Sequence, residues 1–341
     1  MHVEACLLLG LLMGADASDA GVRTGVVRFE PVPDEDRIAT QFRLQGHSFA
    51  FSQKPIKTAA TRIAIWEVTF PSPLVTPHVN NNTVHCEYFC PVQEPDQPPA
   101  KRPGVVVLHI LGGDFALSRM FCRTLAHNGV AALFLKLPYY GPRRTPDSPA
   151  RMITLDPRES AAGMRQGVLD IRRARAWLAQ QEELDPEQLG LFGISLGGIT
   201  SALAVTAEPR FSKVCMLLAG GDIAAVGWDS PHYEKAREKW LASGGSKEAF
   251  LAPLRSVDPV TYAENVRGRE LKILMLNVRY DEIIPRQCTE SLWRAFGQPE
   301  IVWWDAGHLS AGRFMFDGLA RVTEFFQDGK AVAADDAKTG N

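Results

Sequence analysis

From residue 104 onward the chain alternates short, largely apolar runs with longer amphipathic ones, and few folds accept that rhythm. The runs are "GVVVLHI" (104–110), "VAALFLKL" (130–137), "LGLFGI" (189–194), "FSKVCMLLAG" (211–220), "LKILMLN" (271–277) and "EIVWW" (300–304). They are too short for buried helices, and most lack the polar alternation of a half-exposed strand. Strands covered on both faces read this way. Between them lie helical patterns. One covers 118–128 and is closed by Gly129 at a C-cap position. Another runs from Arg158 to about Gln181, with Val168, Ile171, Ala174 and Leu178 on one side. Further helices are expected to start at Ser195 and to cover 286–296 and 311–327. The prediction is an α/β fold: a mainly parallel, twisted sheet with helices on both faces. An antiparallel pair, "RIAIWEVTF" and "NTVHCEYFC", precedes it, and residues 18–60 are expected to be irregular. The polar stretch 222–268 interrupts the strand series and reads as a small helical cap inserted into one α/β domain spanning 18–327.

Composition narrows the function classes. A chain of 341 residues, 45% hydrophobic and 22% charged, supports a substantial core. A formal net charge of −2 gives no polyelectrolyte signature, so nothing points to nucleic acid or an anionic membrane. The N-terminal "CLLLGLLMGA" has the length of a signal-peptide h-region and is followed by "ADA", while "MHVEA" ahead of it carries no Lys or Arg. Residues 1–17 therefore read as either an export signal or a poorly ordered N-terminus, which leaves localisation between exported and cytoplasmic. The run is shorter than the roughly 20 apolar residues that span a bilayer. Residues 328–341 read as a disordered tail. No feature indicates an oligomeric state.

Six cysteines stand at 6, 86, 90, 122, 215 and 288. Cys86 and Cys90 share one face of a strand, where four residues at ~3.3 Å each separate them by about 13 Å. A disulfide needs Cα atoms within about 7 Å, so buried thiols are expected. Cys122, Cys215 and Cys288 sit inside apolar elements and read as small core residues.

The run "LGLFGISLGGIT" (189–200) places one serine between Gly193 and Gly197, where a strand gives way to a helix. A serine in so sharp a turn needs small neighbours, and its hydroxyl emerges at the carboxyl edge of the sheet over a helix N-terminus. The Leu196 N–H is placed to receive a developing oxyanion there. A hydroxyl alone is a poor nucleophile and requires a base with an orienting acid. In this topology these follow in the order Ser, acid, His, each after a later strand. Of eight histidines, His232 and His308 follow Ser195. His232 falls in the expected cap, whereas His308 comes directly after "EIVWW" in "DAGHLS", and is the expected base. Asp281 in "NVRYDEIIP" is the expected acid, with Asp222 in "AGGD" its competitor. Glu282 should point away, and Asp305 reads as a surface or capping residue. Trp303 and Trp304 read as core.

"GISLGG", "DEIIP" and "GHLS" together resemble the α/β-hydrolase superfamily over roughly residues 60–327, in the manner of its dienelactone-hydrolase and prolyl-oligopeptidase-related esterases. The resemblance implies a second oxyanion N–H from the loop after the third strand. Here that loop reads "HILGGDF" rather than His-Gly-x, so Leu111 is the expected donor and Gly112 the alternative, with His109 as a structural residue of the loop. Tyr139, Tyr140, Arg143 and Arg144 overhang the same edge and are expected to pack and form surface ion pairs, the other reading being a substrate carboxylate site. The expected function is hydrolysis of a small-molecule carboxylic ester through an acyl-enzyme on Ser195, His308 and Asp281, with no metal and no organic cofactor. A peptidase or amidase on the same scaffold, or a non-catalytic binding protein, are the alternatives.

Overall fold

The computed structural model describes residues 21–56, 62–93 and 101–327. The signal-like segment with Cys6 and the C-terminal tail lie outside the described residues. Ten strands, β1 (Arg23–Phe29), β2 (His47–Ile56), β3 (Ile63–Pro71), β4 (Thr83–Pro91), β5 (Arg102–Leu108), β6 (Ala131–Leu135), β7 (Leu184–Ile194), β8 (Lys213–Leu217), β9 (Lys272–Val278) and β10 (Glu300–Trp304), form one sheet. Their order is β1-β2-β3-β4-β6-β5-β7-β8-β9-β10. Strands β1 to β4 pair antiparallel, as does β4 with β6, and every pairing from β6 to β10 is parallel.

The apolar runs are explained by burial on two faces. In β5, Val106 and Leu108 join one core cluster while Val105 and Val107 join the other, all four fully buried. Helices α2 (Pro157–Leu178), α3 (Leu196–Ala207) and α7 (Arg286–Ala295) cover the first face, and α1 (Phe115–His127) and α8 (Met315–Gln327) the second. Asp114 and Asp156 cap α1 and α2 by accepting N–H bonds from Ala116 and Arg158. The first helix thus begins three residues earlier than the apolar pattern suggests, and Gly129 ends it with φ +80°. The last helix begins as a 3-10 turn over Leu309–Phe314.

Within 18–60, the described residues 21–56 are not wholly irregular. They supply β1 and β2, whose Val27, Phe29, Phe49 and Phe51 face the core between more exposed neighbours, Val26 and Ala50 among them. Those alternations are short and diluted by Arg, Ser and Gln, which is why the pattern is faint. The antiparallel section therefore has four strands rather than two. Between β8 and β9 the chain forms α4 (Ile223–Asp229), α5 (Glu234–Ala242) and α6 (Lys247–Arg255), with 3-10 turns at Pro231–Tyr233 and Pro259–Asn265. Cys86, Cys90, Cys122, Cys215 and Cys288 are buried free thiols. Among the described residues, no helix is long and apolar enough to cross a membrane.

Candidate active site

The turn from β7 into α3 leaves no room for side chains around Ser195. A Cβ on Gly193 would lie 2.1 Å from the Gly197 carbonyl oxygen, and one on Gly197 would lie 2.7 Å from that of His109. Ser195 itself has φ 53° and ψ −112°, a conformation a non-glycine residue holds only when its surroundings enforce it. Here the enforcing contacts are the Ser195 N–H donating to the Leu217 carbonyl at 2.8 Å and the Ile199 N–H donating to the Ser195 carbonyl at 2.9 Å. The Leu196 amide opens α3 and has no carbonyl one turn back within the helix to receive it.

His308 and Asp281, expected from the loops after β10 and β9, come to this serine. The His308 Nε2 lies 3.0 Å from the Ser195 Oγ, and its Nδ1 lies 2.9 Å and 3.0 Å from the two Asp281 oxygens. Asp281 is itself fixed, since its Oδ1 accepts the N–H groups of Ile283 and Ile284 at 2.9 Å and 2.7 Å. The side chains of His308 and Asp281 are 9% and 2% exposed, so the pair works in low dielectric. Asp222 does not join them. It is exposed, with φ 52°, and its backbone N–H and that of Ile223 donate to Asp258. Asp305 is exposed, and His232 lies in the 3-10 turn between α4 and α5.

Ile110 and Leu111 line a cavity with Ser195, at the turn closed by the Gly113 N–H on the Ile110 carbonyl at 3.2 Å. His109 is fully buried beneath this turn. The Leu137 N–H donates to its Nε2 at 3.1 Å, so Nδ1 carries the proton and donates to the Ile110 carbonyl at 2.8 Å. It is a brace between two loops, and burial pushes its pKa down to about 4. The unfolded chain therefore protonates this imidazole first. The stability it contributes is complete above pH 6.5 and lost as pH falls towards 4, amounting to about 3 kcal/mol. Urea midpoints measured between pH 7 and 4.5 should show this slope in the wild type and a shallower one in His109→Gln; equal slopes would count against it.

Arg143 corrects the expectation of surface ion pairs. It is fully buried, lies 2.8 Å from Asp170 and donates to the carbonyls of Lys136 and Asn81. Tyr140 packs on His109 with ring centres 4.5 Å apart, Tyr139 sits edge-on to His78, and Arg144 is exposed. These contacts secure the loop after β6. Trp304 is buried and also forms part of the cavity wall, while Trp303 is half-buried under Arg286. The cavity holds about 740 Å³. Leu117, Phe121 and Met315 line it on one side of the sheet, and Met164, Ile199, Val226, Phe250 and Leu254 on the other, the last three from the inserted helices. The feature that sequence reading misses is Glu282: its carboxylate accepts the N–H groups of His308 and Leu309. Two adjacent acids in a loop carry no signal that distinguishes their targets.

A serine on a strand-to-helix elbow, with an acid and an imidazole after later parallel strands, defines an α/β-hydrolase-fold protein. The chain belongs to the family described as Alpha/beta hydrolase domain containing 18, whose model matches residues 54–227, just over half of its length. A Prolyl oligopeptidase family model also matches residues 164–329. Among curated proteins, the chain is similar to Uncharacterized protein Rv2627c of Mycobacterium tuberculosis, 28% identical over 175 residues, covering 50% of this chain and 40% of that protein. It is also 29% identical over 161 residues to Uncharacterized protein Rv2307c of the same species, covering 45% of this chain and 50% of that protein. The matched region spans half or less of the length of these relatives. Among solved structures, an acetyl xylan esterase from Paenibacillus sp. R4 superposes with TM-score 0.61 at 19% identity, covering 80% of this chain and 88% of that chain. Acetyl Xylan Esterase 1 from Thermoanaerobacterium sp. JW/SL YS485 gives TM-score 0.62 at 18% identity, covering 82% and 88%. At such identities the likeness is one of fold.

Proposed function

We propose that this chain is a serine hydrolase that cleaves carboxylic esters through an acyl-enzyme. The observation that carries the reading is the unbroken chain from the Ser195 Oγ through the His308 imidazole to Asp281, at 3.0 Å and 2.9 Å. His308 takes the serine proton at Nε2 as the oxygen attacks the ester carbonyl, and Asp281 holds the tautomer and stabilises the imidazolium. The amides of Leu196 and Leu111 receive the oxyanion, Leu111 lining the cavity beside Ser195. His308 then returns the proton to the leaving alcohol, and a water activated by the same imidazole releases the acid.

The apolar lining of the cavity supports an acyl group larger than the acetyl in the names of the two similar esterases. Each methylene buried is worth about 0.8 kcal/mol, so six extra carbons at half burial favour the longer ester on the order of 50-fold. The test is a panel of p-nitrophenyl esters alongside fluorophosphonate labelling. Labelling at Ser195, and a kcat/KM for the octanoate well above that for the acetate, are expected. An unlabelled Ser195 would point to a non-catalytic binding protein. The Prolyl oligopeptidase match favours a second reading, peptide-bond cleavage. Turnover of peptide p-nitroanilides at rates above those of the esters would decide for it.

A further inference from the structure

We propose that Glu282 is a positioning residue that holds the main chain of the loop presenting His308, and so sets the distance between the imidazole and Ser195. The inference rests on the serine-hydrolase reading above. The ladder between β9 and β10 does not stop where the strands end. The Arg279 N–H donates to the Trp304 carbonyl at 2.9 Å and the Tyr280 N–H to that of Ala306 at 3.0 Å. Beyond these two bonds the Glu282 carboxylate takes over the seam. Its Oε2 accepts the His308 N–H at 2.8 Å, and its Oε1 accepts the Leu309 N–H at 3.1 Å.

Three further observations agree. Gly307 leaves the space that the carboxylate occupies, for a Cβ there would lie 2.4 Å from the Glu282 Oε2. Burial works against the charge of Glu282, yet the amides of Leu309, of Glu282 itself and of His308 outweigh it and hold the carboxyl below the ordinary carboxylate range. The acceptor is thus anionic at neutral pH, and its bonds to the two amides are charge-assisted, though screened by solvent because Glu282 is exposed. The neighbouring acids divide the work: Asp281 holds the ring of His308 and Glu282 its backbone. With the backbone released, the ring retains its bond to Asp281 but loses a fixed approach to the serine. Misplacement by about 1 Å costs on the order of 10²-fold in rate.

The test uses the full chain with Glu282→Ala, Glu282→Gln and Gly307→Ala. Glu282→Ala should lower kcat for p-nitrophenyl butyrate on the order of 10²-fold with KM within about twofold. Glu282→Gln should lie between it and the wild type, because its one carbonyl oxygen replaces one of the two acceptors. Gly307→Ala, whose Cβ would meet the Glu282 Oε2 at 2.4 Å and the Tyr280 carbonyl at 3.1 Å, should lower kcat in the wild type and lower it less beside Glu282→Ala, where the first of these contacts is gone. Hydrogen exchange over residues 305–312 should quicken in Glu282→Ala, a readout independent of turnover. Unchanged exchange there, a kcat within twofold of wild type, or additive effects of the two substitutions would overturn the proposal. A wild type that hydrolyses no ester and takes no fluorophosphonate would instead remove the serine-hydrolase reading, and exchange would still report whether Glu282 holds the loop.

Discussion

Ser195→Ala is expected to lower kcat/KM for p-nitrophenyl esters on the order of 10⁶-fold, the loss that follows when a serine nucleophile is removed from such a relay. The fold should survive. The substitution deletes one oxygen whose partner is the His308 Nε2 and leaves both backbone bonds of the elbow in place. Circular dichroism and the melting temperature check the second half of the expectation. Residual turnover above the water rate would be traced to the proposed oxyanion donors, the amides of Leu196 and Leu111, which would polarise the carbonyl without the serine. Activity near that of the wild type would end the proposal that Ser195 is the nucleophile.

Asp281→Asn is the second large effect, about 10⁴-fold in kcat. The size follows from what surrounds the carboxylate. Ile283 and Ile284 both direct N–H groups at Oδ1, so an asparagine must put its oxygen there and turn its NH₂ towards the imidazole. The NH₂ then replaces the oxygen that lay 2.9 Å from the His308 Nδ1, which favours the tautomer protonated at Nε2, and in that tautomer the ring takes no proton from Ser195. Asp222→Asn should change kcat by less than about twofold, because that side chain is exposed and its left-handed backbone suits asparagine well. Steady-state kinetics on the two purified variants settle the assignment, and the opposite order of effects would move the acid to the neighbouring strand.

Much of this molecule could be read before any coordinates. The parallel strands declare themselves because burial on two faces removes polar residues altogether, as in Val105 to Leu108. The elbow is equally legible, since steric exclusion at Gly193 and Gly197 leaves a residue pattern as its trace. Given a nucleophile, strand order alone narrows the acid and base to a few loop positions. Three kinds of information stayed hidden. Strands β1 and β2 bury one face only, and their weak alternation does not stand out from loop composition. The fully buried partnership of Arg143 with Asp170 joins residues of opposite charge far apart in the chain, and nothing local announces it. The bonds from the His308 and Leu309 amides to Glu282 depend on how the loops after β9 and β10 lie against each other, a matter of three-dimensional path rather than residue type.

The hydrogen bond between Ser195 and His308 closes a gap of 113 positions, and the imbalance between its two anchors has a consequence. The serine is rooted in β7, flanked by β5 and β8 in the interior of the sheet, whereas the imidazole hangs from β10, which has β9 alone beside it. Terminal strands open at lower free energy than central ones. Warming or mild denaturant is thus expected to silence the proposed chemistry while most of the molecule is still folded, so that turnover would gauge the integrity of one margin rather than survival of the whole.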